Sequence, residues 1–323
     1  MPIKKNDALR YIANLIGLAA LSYFATYYFL RLPAQLVLTL FHKSATLQNP
    51  IAVPEWVMAL INLVLTQAPL ALACAVLYFG RMPHARPRLS FARPRDARLW
   101  LFTPVFLGFG LLCNIITTLF ARFLSQATAY TPPAPGALPD SAGALGIYFI
   151  ALCVVPAVLE EILVRGLMQG MLVRYGPWFG IIVSSVLFTL LHTNIVSMPG
   201  IFALSLVLGL CAWCTGSILP GMILHFCNNV VAFFITLTQQ KADFAPMRAM
   251  TVYLIIVITV AAFLCLALII TGKIHQSIAP VPHFHDPKNR QSRFERLVTA
   301  PVFLGAMVFL TLRALMPLFF APK

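Results

Sequence analysis

Apolar stretches of about 18 residues or more recur along this chain, and such lengths belong to membrane spans rather than to a soluble core. Lipid offers no water to satisfy backbone groups, so each stretch must close its own hydrogen bonds as a helix. The expected fold class is therefore all-α, a polytopic transmembrane helical bundle of eight to nine spans. Composition agrees: 60% of the residues are hydrophobic, 10% are charged, and the mean hydropathy is +0.87. A chain of 323 residues is filled by such a bundle, leaving no room for a sizeable soluble domain.

Taken in order, the expected spans run from Tyr11 to Leu30, Ile51 to Phe79, Leu99 to Phe123, Leu145 to Val164, Pro177 to Leu191, Ile201 to Cys214, Leu219 to Leu237, Thr251 to Ile270 and Val298 to Phe320. The segment 31–50 reads as a connector along the interface, and Gly166 to Gly176 as a short loop. The first apolar run is too long for a signal-peptide core and lacks a small-residue cleavage site, so it reads as an uncleaved span.

The formal charge of +14 could suggest nucleic acid. The basic residues instead crowd into short loops beside the spans, above all 81–98 and 273–296, as positive-inside bias predicts. Nucleic-acid binding is not expected. The N-terminus is expected in the cytoplasm, and the setting is a bacterial inner membrane.

Against this background Glu160-Glu161-Ile-Leu-Val-Arg165-Gly166 stands out. The chain has nine acidic residues, and only these two are embedded in an apolar segment. Ionisable groups there are costly and mark function by default. Glu161 and Arg165 are four apart, share a helix face and can pair. Glu160 is rotated by roughly 100° and needs a partner from another helix. Two histidines lie in later spans, in Phe188-Thr-Leu-Leu-His192 and His225-Phe-Cys-Asn-Asn229. Either histidine alone would read as a polar contact between helices. Together, Glu160, His192, His225 and Asn229 could line one cavity, supplying a base, a proton partner and donors for an oxyanion. Motifs for other intramembrane hydrolases are absent: there is no His-Glu-x-x-His, no Gly-x-Ser-x-Gly and no aspartate within a span.

Glu-Glu-x-x-x-Arg, Phe-x-x-x-His and His-x-x-x-Asn, in this order on successive helices, resemble the CAAX prenyl protease and bacteriocin-processing (CPBP, or ABI) family of intramembrane endopeptidases. The resemblance covers about 151–234. It implies that Glu160 activates the hydrolytic water with help from His192, and that His225 and Asn229 bind the oxyanion. Glu161, Arg165 and Phe188 would support the site. It divides the chain into N-terminal spans (1–143), a core of four spans (144–240) and C-terminal spans (241–323).

Cofactor use stays open in the sequence: either none, or a divalent metal such as zinc held by Glu160, His192 and His225. The expected partners are membrane lipid and a peptide or protein substrate, prenylated or carrying a leader, cut near the cytoplasmic face. Two other readings use the same residues: a non-catalytic scaffold or immunity-type member, and a proton-coupled transporter. The lack of an internal repeat counts against the transporter.

Overall fold

The computed structural model describes residues 8–80, 100, 102–128, 137–192, 194–241, 245–271 and 293–320. The basic stretches 81–98 and 273–292, which carry most of the charge asymmetry, lie outside the described residues. The elements are helical throughout: α1 (Ala8–Phe41), α2 (Glu55–Gly80), α3 (Phe102–Ala127), α4 (Ala142–Tyr175), α5 (Pro177–Leu191), α6 (Met198–Thr215), α7 (Leu219–Lys241), α8 (Ala245–Ile270), α9 (Arg293–Val298) and α10 (Pro301–Phe320). Seven described helices are long and apolar enough to cross a membrane. Pro177–Leu191 and Leu254–Ile270 are shorter apolar helices. The chain is a polytopic helical bundle.

Two expected boundaries move. The connector at 31–50 is helical as far as Phe41, because α1 continues through Pro33. An internal proline costs about 3 kcal/mol, and tertiary contacts offset it here. Leu38 is fully buried, and Gln35 Nε2 donates to the Ala45 carbonyl at 2.7 Å. The expected loop 166–176 is helical to Tyr175, and residues 166–173 are buried. Gly166 reads as the start of a loop in the sequence, yet it and Gly170 are buried within the helix. Gln169 Nε2 ties this turn to α6 through the Gly209 carbonyl at 2.9 Å. The break comes instead at Gly176, whose φ of 134° suits only glycine.

Helix α1 lies between α2 and α10. Gly17 lets the backbones of α1 and α10 touch: a Cβ there would stand 2.7 Å from Phe303 Cα. Asn14 Oδ1 accepts from the Val302 and Phe303 amides at 2.9 and 3.4 Å, one acceptor for two of the unpaired donors in the first turn of α10. The main core joins Ile12, Ile16 and Phe24 of α1 to Leu70 and Leu77 of α2, Leu163, Leu167 and Met171 of α4, and Leu187 and Phe188 of α5. On the far side, α3 packs on α6, α7 and α8.

Helix α4 is not regular. Two π-helical stretches, Ile150–Val154 and Ile162–Gln169, flank the α-helical turns Val155–Glu161 that end on the two carboxylates. In the first, the Val155 amide donates to the Ile150 carbonyl, five residues back. The next donor in that register would come from residue 156, but Pro156 has no N–H. The Ala151 carbonyl takes its hydrogen bond from Gln67 Nε2 on α2 instead, at 3.0 Å. Eight residues on, Cys74 Sγ approaches the Leu159 carbonyl at 3.6 Å. Gln67 and Cys74 are two turns apart on one face of α2, so this helix supports α4 along the length that ends at Glu160.

Candidate active site

The two adjacent glutamates of α4 occupy different environments. Glu161 and Arg165 are fully buried. Arg165 Nη1 stands 3.1 Å from Glu161 Oε1, as their spacing predicts. Its other nitrogen, Nη2, donates to the Ser205 carbonyl at 3.0 Å and to Ser205 Oγ at 2.8 Å, which fixes α4 to α6. The guanidinium carbon lies 4.9 Å from the centre of the Phe188 ring on α5. A buried charge is tolerated only with partners of this kind.

Glu160 keeps 16% of its side chain exposed and faces a cavity of about 360 Å3. His192 and His225, Asn229 and Phe188 share its wall. The site residues read from the sequence are thus brought together from α4, α5 and α7. Asn228, the neighbouring amide, turns away toward Asn114 of α3 at 3.4 Å, while Asn229 faces the cavity one turn after His225.

Hydrogen bonding sets the orientation of both imidazoles. His192 caps the end of α5 in an extended conformation, and its Nδ1 lies 2.8 Å from the Phe188 carbonyl. A carbonyl only accepts, so Nδ1 donates, and in the neutral ring Nε2 carries the lone pair. His225 Nδ1 lies 3.0 Å from Glu161 Oε1, and its Nε2 stands 3.6 Å from Glu160 Oε2. That second distance exceeds a hydrogen bond. Glu161 therefore contacts a histidine of the cavity as well as Arg165. The helical offset between the two glutamates is spanned by one imidazole, whose nitrogens meet one carboxylate each. Phe188 packs edge-on against both rings, with centroids 4.7 Å from His192 and 6.1 Å from His225.

Among the described residues, no three His, Cys, Asp or Glu side chains are grouped to hold a metal ion. Each histidine holds a protein acceptor through Nδ1 and keeps Nε2 uncommitted, which by itself neither favours nor opposes a metal. The trio Glu160, His192 and His225, as placed, does not fit a three-ligand centre.

The cavity also draws on α1 and α2, through Tyr23, Thr66, Gln67 and Leu70. Thr66-Gln67 carried a signal, since an amide within an apolar span asks for a partner. Tyr23 carried none, because an aromatic residue in a span is ordinary.

The helical membrane bundle thus sets one carboxylate, two histidines and an amide around one cavity, with the second carboxylate fully buried behind them. Residues 143–231 match the family described as Type II CAAX prenyl endopeptidase Rce1-like. This agrees with the CPBP resemblance of the motifs, all of which lie inside the matched segment. No curated protein and no solved structure matches the chain. The molecule is an integral membrane protein with a segment that matches the Rce1-like family model.

Proposed function

We propose that this protein is an intramembrane endopeptidase in which Glu160 activates a water molecule to hydrolyse a peptide bond of a membrane-associated substrate. The observation that carries this reading is the shared cavity, where Glu160, His192, His225 and Asn229 meet inside the Rce1-like segment. No hydrogen bond to another side chain occupies Glu160 among the described residues, so its carboxylate is available to take a proton from water.

The chemistry follows from the orientation of each group. Water gives one proton to Glu160 as its oxygen bonds to the scissile carbonyl carbon, and the π pair moves onto the carbonyl oxygen. Nε2 of His192 accepts the second hydrogen of that water and aims its lone pair. The oxyanion accepts from the Asn229 amide and from His225 Nε2 when that nitrogen carries a proton. Glu161 holds that ring in place by accepting from Nδ1, and Arg165 pairs with the carboxylate. Glu160 then returns its proton to the departing amine as the C–N bond breaks.

Leu70, Leu152, Leu163, Val164 and Leu191 form the apolar part of the cavity. They support a substrate carried in or on the membrane, such as a prenylated tail or a leader peptide cut near the cytoplasmic face. The experiment is a comparison of membrane proteomes from cells making the wild type and Glu160→Ala. A peptide cut only by the wild type is expected. Identical processing in both would sink the proteolytic reading.

A further inference from the structure

Arg313 lies within the apolar helix α10, and an ionisable residue in such a helix calls for a partner. Its guanidinium carbon stands 4.2 Å from the centre of the Phe24 ring and 5.8 Å from that of Tyr28. Its Nε donates to the Tyr28 hydroxyl at 3.1 Å. Arg31 of α1 repeats the arrangement on Tyr27, with Nη1 donating to the hydroxyl at 3.1 Å and the carbon 5.7 Å from the ring centre. The Tyr27 and Tyr28 rings meet edge-on at 5.5 Å, so the two cations belong to one cluster. Ring faces orient a guanidinium but do not neutralise it. Among the described residues, no carboxylate pairs with either arginine. Arg31 Nε and Nη2 and Arg313 Nη1 and Nη2 have no acceptor there, and none of the four is sealed from the surface.

Depth decides what can meet these donors. Tyr28 lies twenty residues along α1 from Ala8, about 30 Å of helix, which is the thickness of the hydrocarbon layer. With Ala8 at one face of the bilayer, the cluster stands at the headgroup level of the other. One turn back toward the bilayer centre, Ala25 of α1 and Phe309 of α10 are exposed. Uncommitted cationic donors thus sit at the end of an apolar strip. We propose that Arg31 and Arg313 hold the phosphate headgroup of an anionic phospholipid, with an acyl chain along Ala25 and Phe309. The planar guanidinium matches phosphate oxygens, and the tyrosines hold it ready for them. A zwitterionic headgroup brings its own cation into the cluster and fits less well. The site uses helices outside the segment 143–231 and stands independently of the proteolytic reading.

The test titrates the full chain in detergent with phosphatidylglycerol and, separately, with phosphatidylcholine, counting bound lipid by native mass spectrometry. Wild type should bind phosphatidylglycerol roughly tenfold more tightly. Arg31→Gln and Arg313→Gln should each weaken that binding roughly fivefold, near the worth of one arginine at an anionic headgroup, and leave phosphatidylcholine unchanged. Arg122→Gln, which removes an exposed arginine of α3, should change neither affinity. Equal affinity of the wild type for both lipids overturns the proposal with no variant needed, so misfolding of a variant cannot hide its failure. An equal loss in Arg122→Gln overturns it too, by tracing the effect to net charge. Inorganic phosphate that displaces the lipid at equal concentration would mark a site for soluble anions and overturn the lipid assignment.

Discussion

His225 Nδ1 lies 3.0 Å from Glu161 Oε1, the same oxygen that Arg165 approaches at 3.1 Å. One carboxylate oxygen thus joins a permanent cation to an imidazole whose far nitrogen faces the cavity. Arg165, Glu161 and His225 form a continuous polar chain through the bundle, from Ser205 on α6 to the cavity. Glu160 is the member of the carboxylate pair left outside it.

This arrangement separates stability from chemistry. Glu161→Ala leaves Arg165 buried without a counter-charge, and breaking one side of a buried pair costs about 3–5 kcal/mol. Thermal unfolding in detergent should show a clearly lowered Tm. Glu160→Gln swaps a partly exposed carboxylate that has no hydrogen-bond partner for an amide of the same shape, so its Tm should stay at the wild-type value. Its cleavage rate should fall by about 10²–10⁴. A normal Tm for Glu161→Ala would show that the chain is not what holds α4, α6 and α7 together.

Arg165→Lys should not rescue the site. The guanidinium reaches Glu161 with Nη1 and Ser205 with Nη2 while its plane meets Phe188, and an ammonium cannot hold all three. Activity should drop at least tenfold and Tm should fall. Replacing Glu161 and Arg165 together by methionine removes both buried charges, and well-packed apolar pairs often match buried ion pairs in stability. The double variant should therefore unfold at a higher temperature than Glu161→Ala while remaining inactive. If it is no more stable than the single variant, the cost lies in packing rather than in an orphaned charge.

Phe188 is the apolar counterpart of Glu161. Its ring touches His192, His225 and Arg165, and it is 2% exposed. Phe188→Ala should cost about 3–5 kcal/mol by opening a cavity. Phe188→Leu should recover most of the stability but not the rate, because a branched aliphatic chain cannot align two imidazoles edge-on. Equal rates for Phe188→Leu and wild type, measured on the same peptide, would reduce Phe188 to filler.

The fold class and the convergence of Glu160, His192, His225 and Asn229 were legible in the sequence, because charge is scarce in apolar helices and i, i+4 spacing fixes a face. The extent of α4 was not. Gly166 looks like a helix end, and only the buried pairing of Gln169 with Gly209 across to α6 shows why the helix continues. The link from His225 to Glu161 was missed because helical rotation was applied to the two glutamates and not to the reach of an imidazole with two nitrogens. Tyr23 enters the cavity through helix packing over more than 80 residues of sequence, which no local pattern encodes, whereas Gln67 was marked only as an amide in need of a partner.

Gly221 gives the most delicate probe of the polar chain. It sits on α7 one turn before His225, and a Cβ there would stand 3.1 Å from Glu161 Oε2. That oxygen is buried without a hydrogen-bond partner, and it cannot retreat without moving Oε1, which is held by both Arg165 and His225. Gly221→Ala therefore presses on the carboxylate by a few tenths of an ångström. The added methyl should shift His225 Nε2 relative to Glu160 and lower kcat several-fold, at a stability cost of about 1–3 kcal/mol. Glu161→Gln offers the control, since its amide no longer binds both partners with one charged oxygen, so the added methyl should cost little more there. A wild-type kcat for Gly221→Ala would mean that Glu161 has slack, and that the position of His225 is set elsewhere.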